Sequence, residues 1–82
     1  QCIVLMEFLE HVDRDLELLE RVPRDRMILG TVPNFPGESH VRHFDCADQV
    51  HDRYSPLMSE CRVTEVLASR AGQTYYLIQG RR

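Results

Sequence analysis

Two carboxylates and an imidazole lie close together near the start of the chain, in the segment Glu7-Phe-Leu-Glu-His11. If Glu7 begins a helical turn, Glu7 and Glu10 lie on one face of that turn, with His11 beside them. Two carboxylate oxygens and one imidazole nitrogen can bind Mg²⁺, Mn²⁺, Fe²⁺ or Zn²⁺. The segment therefore predicts a metal site, with two alternatives: Glu10 and His11 form hydrogen bonds that shape a ligand-binding loop, or they act as a general base.

A second polar segment, residues 39–44, contains two more histidines. Side chains alternate in an extended segment, so His40, Arg42 and Phe44 should point to one side and His43 to the other. Only one histidine of this segment is therefore expected to face the first cluster.

A βαβ unit is predicted to position these two segments. The apolar run Cys2 to Met6 is typical of a strand buried on both faces, and residues 27–32 form a second such run. Between them, Leu16, Leu19 and Val22 recur at helical spacing, after an expected N-cap at Asp13. The two strands should be parallel, and ligands of such sheets bind at the carboxyl ends of the strands, where both polar segments lie.

The rest of the chain predicts one more helix and a hairpin. Asp45 is the expected N-cap of a helix that buries Ala47, Val50 and Tyr54 and ends before Pro56. Strands are predicted over residues 62–68 and 74–79, joined by a connection that contains glycine. The predicted fold is therefore α/β, in the order β-α-β-α-β-β, with the last two strands antiparallel.

Composition limits the chain to one small domain. It has 82 residues, 43% of them hydrophobic, and a net charge of −3, which argues against nucleic acid as a partner. The longest apolar run, Ile3 to Met6, is too short to span a bilayer, so no membrane association is expected. Because no secretory signal is visible, the three cysteines predict reduced, mostly buried thiols and a cytoplasmic location.

Three segments together resemble the C-terminal half of a class I S-adenosylmethionine (SAM)-dependent methyltransferase. They are residues 3–12, with E-x-L-E-H, residues 15–23, and residues 27–34, with T-V-P-N. The resemblance implies a partial Rossmann-like sheet with strands 4-5-7-6 of the family, in which strand 7 is antiparallel. The family's Gly-rich turn and its ribose-binding acidic residue have no counterpart. We therefore expect residues 1–82 to be the substrate-side half, with the N-terminal SAM-binding half absent.

The resemblance also implies roles for individual residues. Glu7 would lie near the methionine end of SAM, and His11 would be catalytic. Asn34, His40 and Arg42 would bind the methyl acceptor. The family's Asn-Pro-Pro-Tyr signature is absent, which favours a small molecule methylated at oxygen or carbon.

A narrower resemblance concerns the metal. Small-RNA 2′-O-methyltransferases and some quinone-biosynthesis O-methyltransferases hold a divalent ion with an E-x-x-E-H motif, which Glu7, Glu10 and His11 match by position. His40 or His43 would be the later ligand, and Mg²⁺ or Mn²⁺ the ion. The acidic chain without lysine argues against the RNA substrate of the first group.

Two other functional classes remain. The chain could be a non-catalytic half-fold module that pairs with another chain, or a small metal-dependent hydrolase using Glu7, Glu10 and His11. In the isolated chain, the apolar edge of the first strand also predicts a homo-oligomer.

Overall fold

The computed structural model describes residues 2–6, 8–37, 40–67 and 72–82. Its strands are β1 (Cys2–Met6), β2 (Met27–Pro33), β3 (Glu60–Leu67) and β4 (Thr74–Arg81), and its α-helices are α1 (Asp15–Glu20) and α2 (Ala47–Tyr54). Short 3₁₀ turns cover Leu9–His11 and Ser55–Leu57. The predicted order β-α-β-α-β-β is confirmed.

The four strands form one mixed sheet in the order β1-β2-β4-β3. β1 is parallel to β2, with a register from Cys2 opposite Met27 to Met6 opposite Thr31. β4 lies between β2 and β3 and is antiparallel to both. The predicted parallel first pair and antiparallel last pair are both confirmed, and the chain is a small α/β domain.

The core lies between one face of this sheet and the two α-helices. Because α1 and α2 are too short to be stable in isolation, their apolar side chains must pack against the sheet. The fully or nearly fully buried apolar residues are Leu9, Leu19, Ile28, Val32, Phe44, Val50, Tyr54, Tyr76 and Ile78. The predicted helical stripe around Leu19 and the predicted buried face of α2 are thus part of the core. Each such residue contributes about 1.5–3 kcal/mol through burial.

The helix starts differ slightly from those predicted. The N-cap of α1 is Arg14 rather than Asp13, and that of α2 is Cys46 rather than Asp45. The backbone N–H of Asp45 donates instead to the Oε1 atom of Gln49, at 2.8 Å. Both caps are therefore displaced to the next residue.

The prediction that β1 is buried on both faces is wrong. Val4 and Met6 remain 58% and 50% exposed, whereas Leu5 on the opposite face packs against the core. β1 is an edge strand, and the helices cover only the other face of the sheet. Met27 and Val66 are exposed on the same side as Val4, so the uncovered face is apolar across much of the sheet.

The cysteines are also less buried than predicted. Cys2 and Cys46 are exposed, and only Cys61 is partly buried, which raises the pKa of its thiol. In the part of the chain that the structure describes, no helix has the length and apolar character needed to cross a bilayer. The predicted cytoplasmic location stays a prediction.

The connection between β3 and β4 is described only in part. Gly72 has a φ of 79°, the left-handed conformation that the predicted glycine-containing connection requires. Residues 68–71 lie outside the described residues.

Candidate metal centre

The segments that follow β1 and β2 meet at the carboxyl ends of these parallel strands. After β1, a 3₁₀ turn over Leu9–His11 reverses the chain. After β2, the chain returns past this turn, and the backbone N–H of Val41 donates to the carbonyl of Glu10 at 2.6 Å. This bond places the second polar segment directly beside the first.

The meeting of the two segments brings Glu10, His11 and His40 together. The Glu10 carboxylate is fully buried, and its Oε2 atom lies 4.0 Å from His11 Nε2 and 3.9 Å from His40 Nε2. One ligand atom from each residue lies within 4.8 Å of the other two. The side chain of His11 is 35% exposed, so the cluster opens to solvent on the His11 side.

His40 is held by several neighbours. Its Nδ1 atom lies 3.4 Å from the carbonyl oxygen of Phe35, and its ring packs against the rings of Phe35 and His11, with centroids 5.9 and 4.6 Å away. A proton on Nδ1 can be donated to that carbonyl, which leaves the lone pair on Nε2, the nitrogen that faces Glu10. Histidine ligands of metal ions are usually oriented by such a bond.

These residues fit a divalent metal ion. Ligand atoms at about 2.0–2.2 Å from one ion are separated by at most about 4.4 Å. The two distances from Glu10 Oε2 are within this limit, and all three separations are within 4.8 Å, so a small shift of the side chains brings them to one ion. One carboxylate and two imidazoles favour Mn²⁺, Fe²⁺ or Zn²⁺ over Mg²⁺, which prefers oxygen ligands. Of the two ions expected from the resemblance, Mn²⁺ is therefore the better fit.

The other predicted site residues are placed differently. Glu7 lies outside the described residues, so its predicted contacts with metal and SAM stay predictions. His43 is exposed, whereas His40 faces the cluster, as the alternation predicts. Asn34 joins the end of β2 to the start of β4, because its Oδ1 accepts from the backbone N–H of Thr74 at 2.8 Å. Its predicted contact with an acceptor is not tested by this geometry.

Arg42 points into the protein. Its guanidinium donates to the backbone carbonyls of Leu9, Val12 and Asp13, at 2.6 Å for Val12 and 3.0 Å for Asp13. All three carbonyls belong to the segment after β1. The guanidinium nitrogens that were expected to bind an acceptor are thus already hydrogen-bonded to the backbone.

A second buried polar cluster, centred on Asp15, contacts Arg42. Asp15, at the start of α1, is fully buried and accepts hydrogen bonds from Arg53 at 2.7 and 2.9 Å and from the Tyr54 hydroxyl at 2.6 Å. Arg42 adds a positive charge 3.4 Å from the same carboxylate. The roles of Arg53 and Tyr54 are not visible in the sequence, where Asp15 only has the position of a charge favoured by the helix dipole.

The electrostatics of this cluster follow from its contacts. Burial by itself would raise the pKa of Asp15, but the hydrogen bonds from Arg53 and Tyr54 and the charge of Arg42 outweigh it, and the pKa is lowered. Burial and the bond to Asp15 raise the pKa of Tyr54. The hydrogen bond with Asp15 likewise raises the pKa of Arg53. The carboxylate is therefore charged and the phenol neutral at pH 7.

Comparison with protein-family models, curated proteins and solved structures finds no match to this chain.

Proposed function

We propose that residues 1–82 form the acceptor-side part of a SAM-dependent methyltransferase that uses a divalent metal ion. The observation that carries the proposal is the meeting of Glu10, His11 and His40 at the carboxyl ends of β1 and β2. This edge is where open α/β sheets bind their ligands. The location of the cluster therefore supports the acceptor site that the methyltransferase resemblance implies.

The sheet also supports this proposal. In the order β1-β2-β4-β3, the last strand in sequence is inserted between its predecessors and runs antiparallel to them. The resemblance implies this arrangement for strands 4-5-7-6 of the family. On this assignment, β1 is strand 4, and its open edge is where strand 1 of the SAM-binding half would pair.

The proposed chemistry is a direct displacement on SAM. A lone pair on an acceptor oxygen forms the new bond to the methyl carbon while the bond from carbon to sulfur breaks, and its electron pair stays on sulfur. A bound divalent ion would lower the pKa of a coordinated acceptor hydroxyl. The acceptor proton would then pass to water, since the cluster opens to solvent on the His11 side. Glu10, His11 and His40 would hold that ion, and the protein would contribute mainly orientation.

Metal binding can be tested on the chain itself. Titration with Mn²⁺ or Co²⁺, followed by calorimetry, should show one site, and Glu10→Gln should weaken it at least tenfold, since it removes a charged ligand. Glu17→Gln is the matched control, because Glu17 is an exposed residue of α1. Equal affinities of the two variants, or no binding to the unchanged chain, would contradict the metal site.

Methyl transfer needs the SAM-binding elements. The chain contains no Gly-rich turn, so by itself it should not bind SAM more tightly than about 10 μM, since that affinity corresponds to about 7 kcal/mol. The coding sequence upstream of residue 1 should contain a strand followed by a Gly-rich turn. The protein with that segment should transfer labelled methyl groups from SAM, and His11→Ala should abolish both transfer and its metal dependence. Absence of such a segment would refute the methyltransferase proposal.

A non-catalytic half-fold module is the second candidate. The exposure of Val4 and Met6 on the uncovered face of the sheet favours it, because a partner chain could cover that face. A module of this kind needs no metal, so Glu10→Gln would leave partner binding unchanged.

A further inference from the structure

Arg42 joins the two segments that supply the cluster. Its Nη1 atom donates to the carbonyls of Leu9 and Val12, the residues on either side of Glu10 and His11. Its own backbone lies beside His40 in the second segment. The planar side chain of Arg42 therefore spans the turn that carries Glu10 and His11, and its backbone is two residues from His40.

The guanidinium is itself held from outside the cluster. Its side chain is only 15% exposed, and the Asp15 carboxylate, 3.4 Å away, balances its charge. Asp15 is in turn bonded to Arg53 and Tyr54 at the end of α2. The position of Arg42 is therefore set by the Asp15 carboxylate, which Arg53 and Tyr54 hold in place, and not by a ligand at the metal centre.

We infer that Arg42 is a positioning residue that sets the separation of Glu10 and His40, rather than a contact for the acceptor. The inference deepens the proposed function and rests on it for the meaning of the site. A lysine cannot replace this arginine, because a single ammonium group on a flexible stem cannot span several carbonyls. Without the guanidinium of Arg42, the two segments are aligned by the backbone hydrogen bond from the N–H of Val41 to the carbonyl of Glu10.

The inference is tested by comparing Arg42→Lys with Arg53→Lys. Both variants keep the positive charge beside Asp15, and both should be less stable, because Arg53→Lys loses hydrogen bonds to Asp15 and Arg42→Lys loses hydrogen bonds to backbone carbonyls. Only Arg42→Lys removes bonds to the segment after β1. In a Co²⁺ titration followed by visible absorption, Arg42→Lys should bind at least tenfold more weakly, the effect typical of residues that orient metal ligands. Arg53→Lys should stay within about twofold of the unchanged chain. Equal weakening in both would assign Arg42 a purely structural role and overturn the inference.

A second measurement needs no metal. The rings of His11 and His40, with centroids 4.6 Å apart, should give a nuclear Overhauser effect in the unchanged chain and in Arg53→Lys but not in Arg42→Lys. If the unchanged chain binds no Co²⁺, the metal proposal fails, and this ring contact alone decides whether Arg42 positions the histidines. Its persistence in Arg42→Lys would overturn the inference.

Folding of the variant is not essential to the test. In the unchanged chain, the guanidinium protons of Arg42 should exchange slowly with water and show couplings to the carbonyls of Val12 and Asp13 at low temperature. Fast exchange and free rotation of this guanidinium would contradict the inference even if Arg42→Lys does not fold.

Discussion

The ring of His40 lies against the backbone of Gly37, so closely that a Cβ atom at Gly37 would be 2.8 Å from the Nδ1 and Cε1 atoms of the ring. The backbone N–H of His40 also donates to the carbonyl of Gly37 at 3.1 Å. The glycine thus leaves the space in which the imidazole turns its Nε2 atom toward Glu10.

Gly37→Ala should therefore damage the metal centre without unfolding the protein. Residue 37 is exposed, but the added methyl group meets the imidazole itself, with the Cγ atom of His40 only 3.0 Å away. The ring must therefore turn away from Glu10 and give up its contacts with Phe35 and His11. We expect Co²⁺ affinity to fall at least tenfold, with a modest decrease in melting temperature. Gly72→Ala is the control with the opposite signature, because its φ of 79° makes alanine cost about 1 kcal/mol while the site is unaffected. Unchanged Co²⁺ binding in Gly37→Ala would show that His40 is not a ligand.

Asp15→Asn should be strongly destabilising. It leaves Arg42 and the half-buried Arg53 without their shared counter-ion, which is fully buried, and breaking a buried pair in this way costs about 3 kcal/mol. Asp52→Asn, an exposed position of α2, should change the free energy of unfolding by less than about 0.5 kcal/mol. Urea unfolding at pH 7 measures both, and similar small changes would contradict the network described here.

The same carboxylate predicts how stability depends on acid. The folded pKa of Asp15 lies below its ordinary value of 3.8, so its contribution is complete above that pH and is lost as the pH falls through the folded pKa. Urea midpoints measured between pH 5 and 2 should therefore fall less steeply for Asp15→Asn than for the unchanged chain. Parallel curves would refute the lowered pKa.

Tyr54→Phe tests the alkaline side. The folded pKa of Tyr54 is raised above its ordinary value of 10.0, so its contribution is complete below pH 10 and is lost as the pH rises toward the folded pKa. At pH 7 the variant should be about 2 kcal/mol less stable than the unchanged chain, because a hydrogen bond to a charged group disappears. Above pH 10, the further decrease in stability with rising pH should be smaller in the variant than in the unchanged chain. Tyr75→Phe, on the opposite face of the sheet, should keep the steep alkaline loss.

The open edge of β1 should make the isolated chain self-associate, because its apolar residues and unpaired backbone groups can pair with a second copy. Sedimentation at high micromolar concentration should show species larger than a monomer. Val4→Lys should reduce them, and Val41→Lys, in the exposed loop after β2, should not. A clean monomer of the unchanged chain would contradict this expectation.

Local periodicity explains why part of the site could be selected from the sequence. The alternation over residues 40–44 places His40, Arg42 and Phe44 inward and leaves Val41 47% exposed, as predicted. This works because an extended segment shows its two sides in turn, whatever it packs against. The parallel β1–β2 pair could also be predicted, because two short apolar runs with an amphipathic helix between them are a local pattern.

Contacts between distant residues could not be predicted in this way. The bond from Arg53 to Asp15 joins two helices whose mutual placement depends on the whole core, and no local pattern marks either residue as a partner. The exposure of Val4 and Met6 was missed because an apolar run reports which residues favour burial and not how many layers are present to bury them.

The position of β4 between β2 and β3 has a consequence for synthesis of the chain. Of the four described strands, β4 is synthesised last, yet it joins the β1–β2 pair to β3. On a ribosome, the unit containing β1 and β2 must therefore wait with an open edge until residues 74–81 have emerged. The nascent chain passes through a stage in which two strand edges of β2 and β3 await the same partner, and this is the interval in which a chaperone or a neighbouring nascent chain would compete for them.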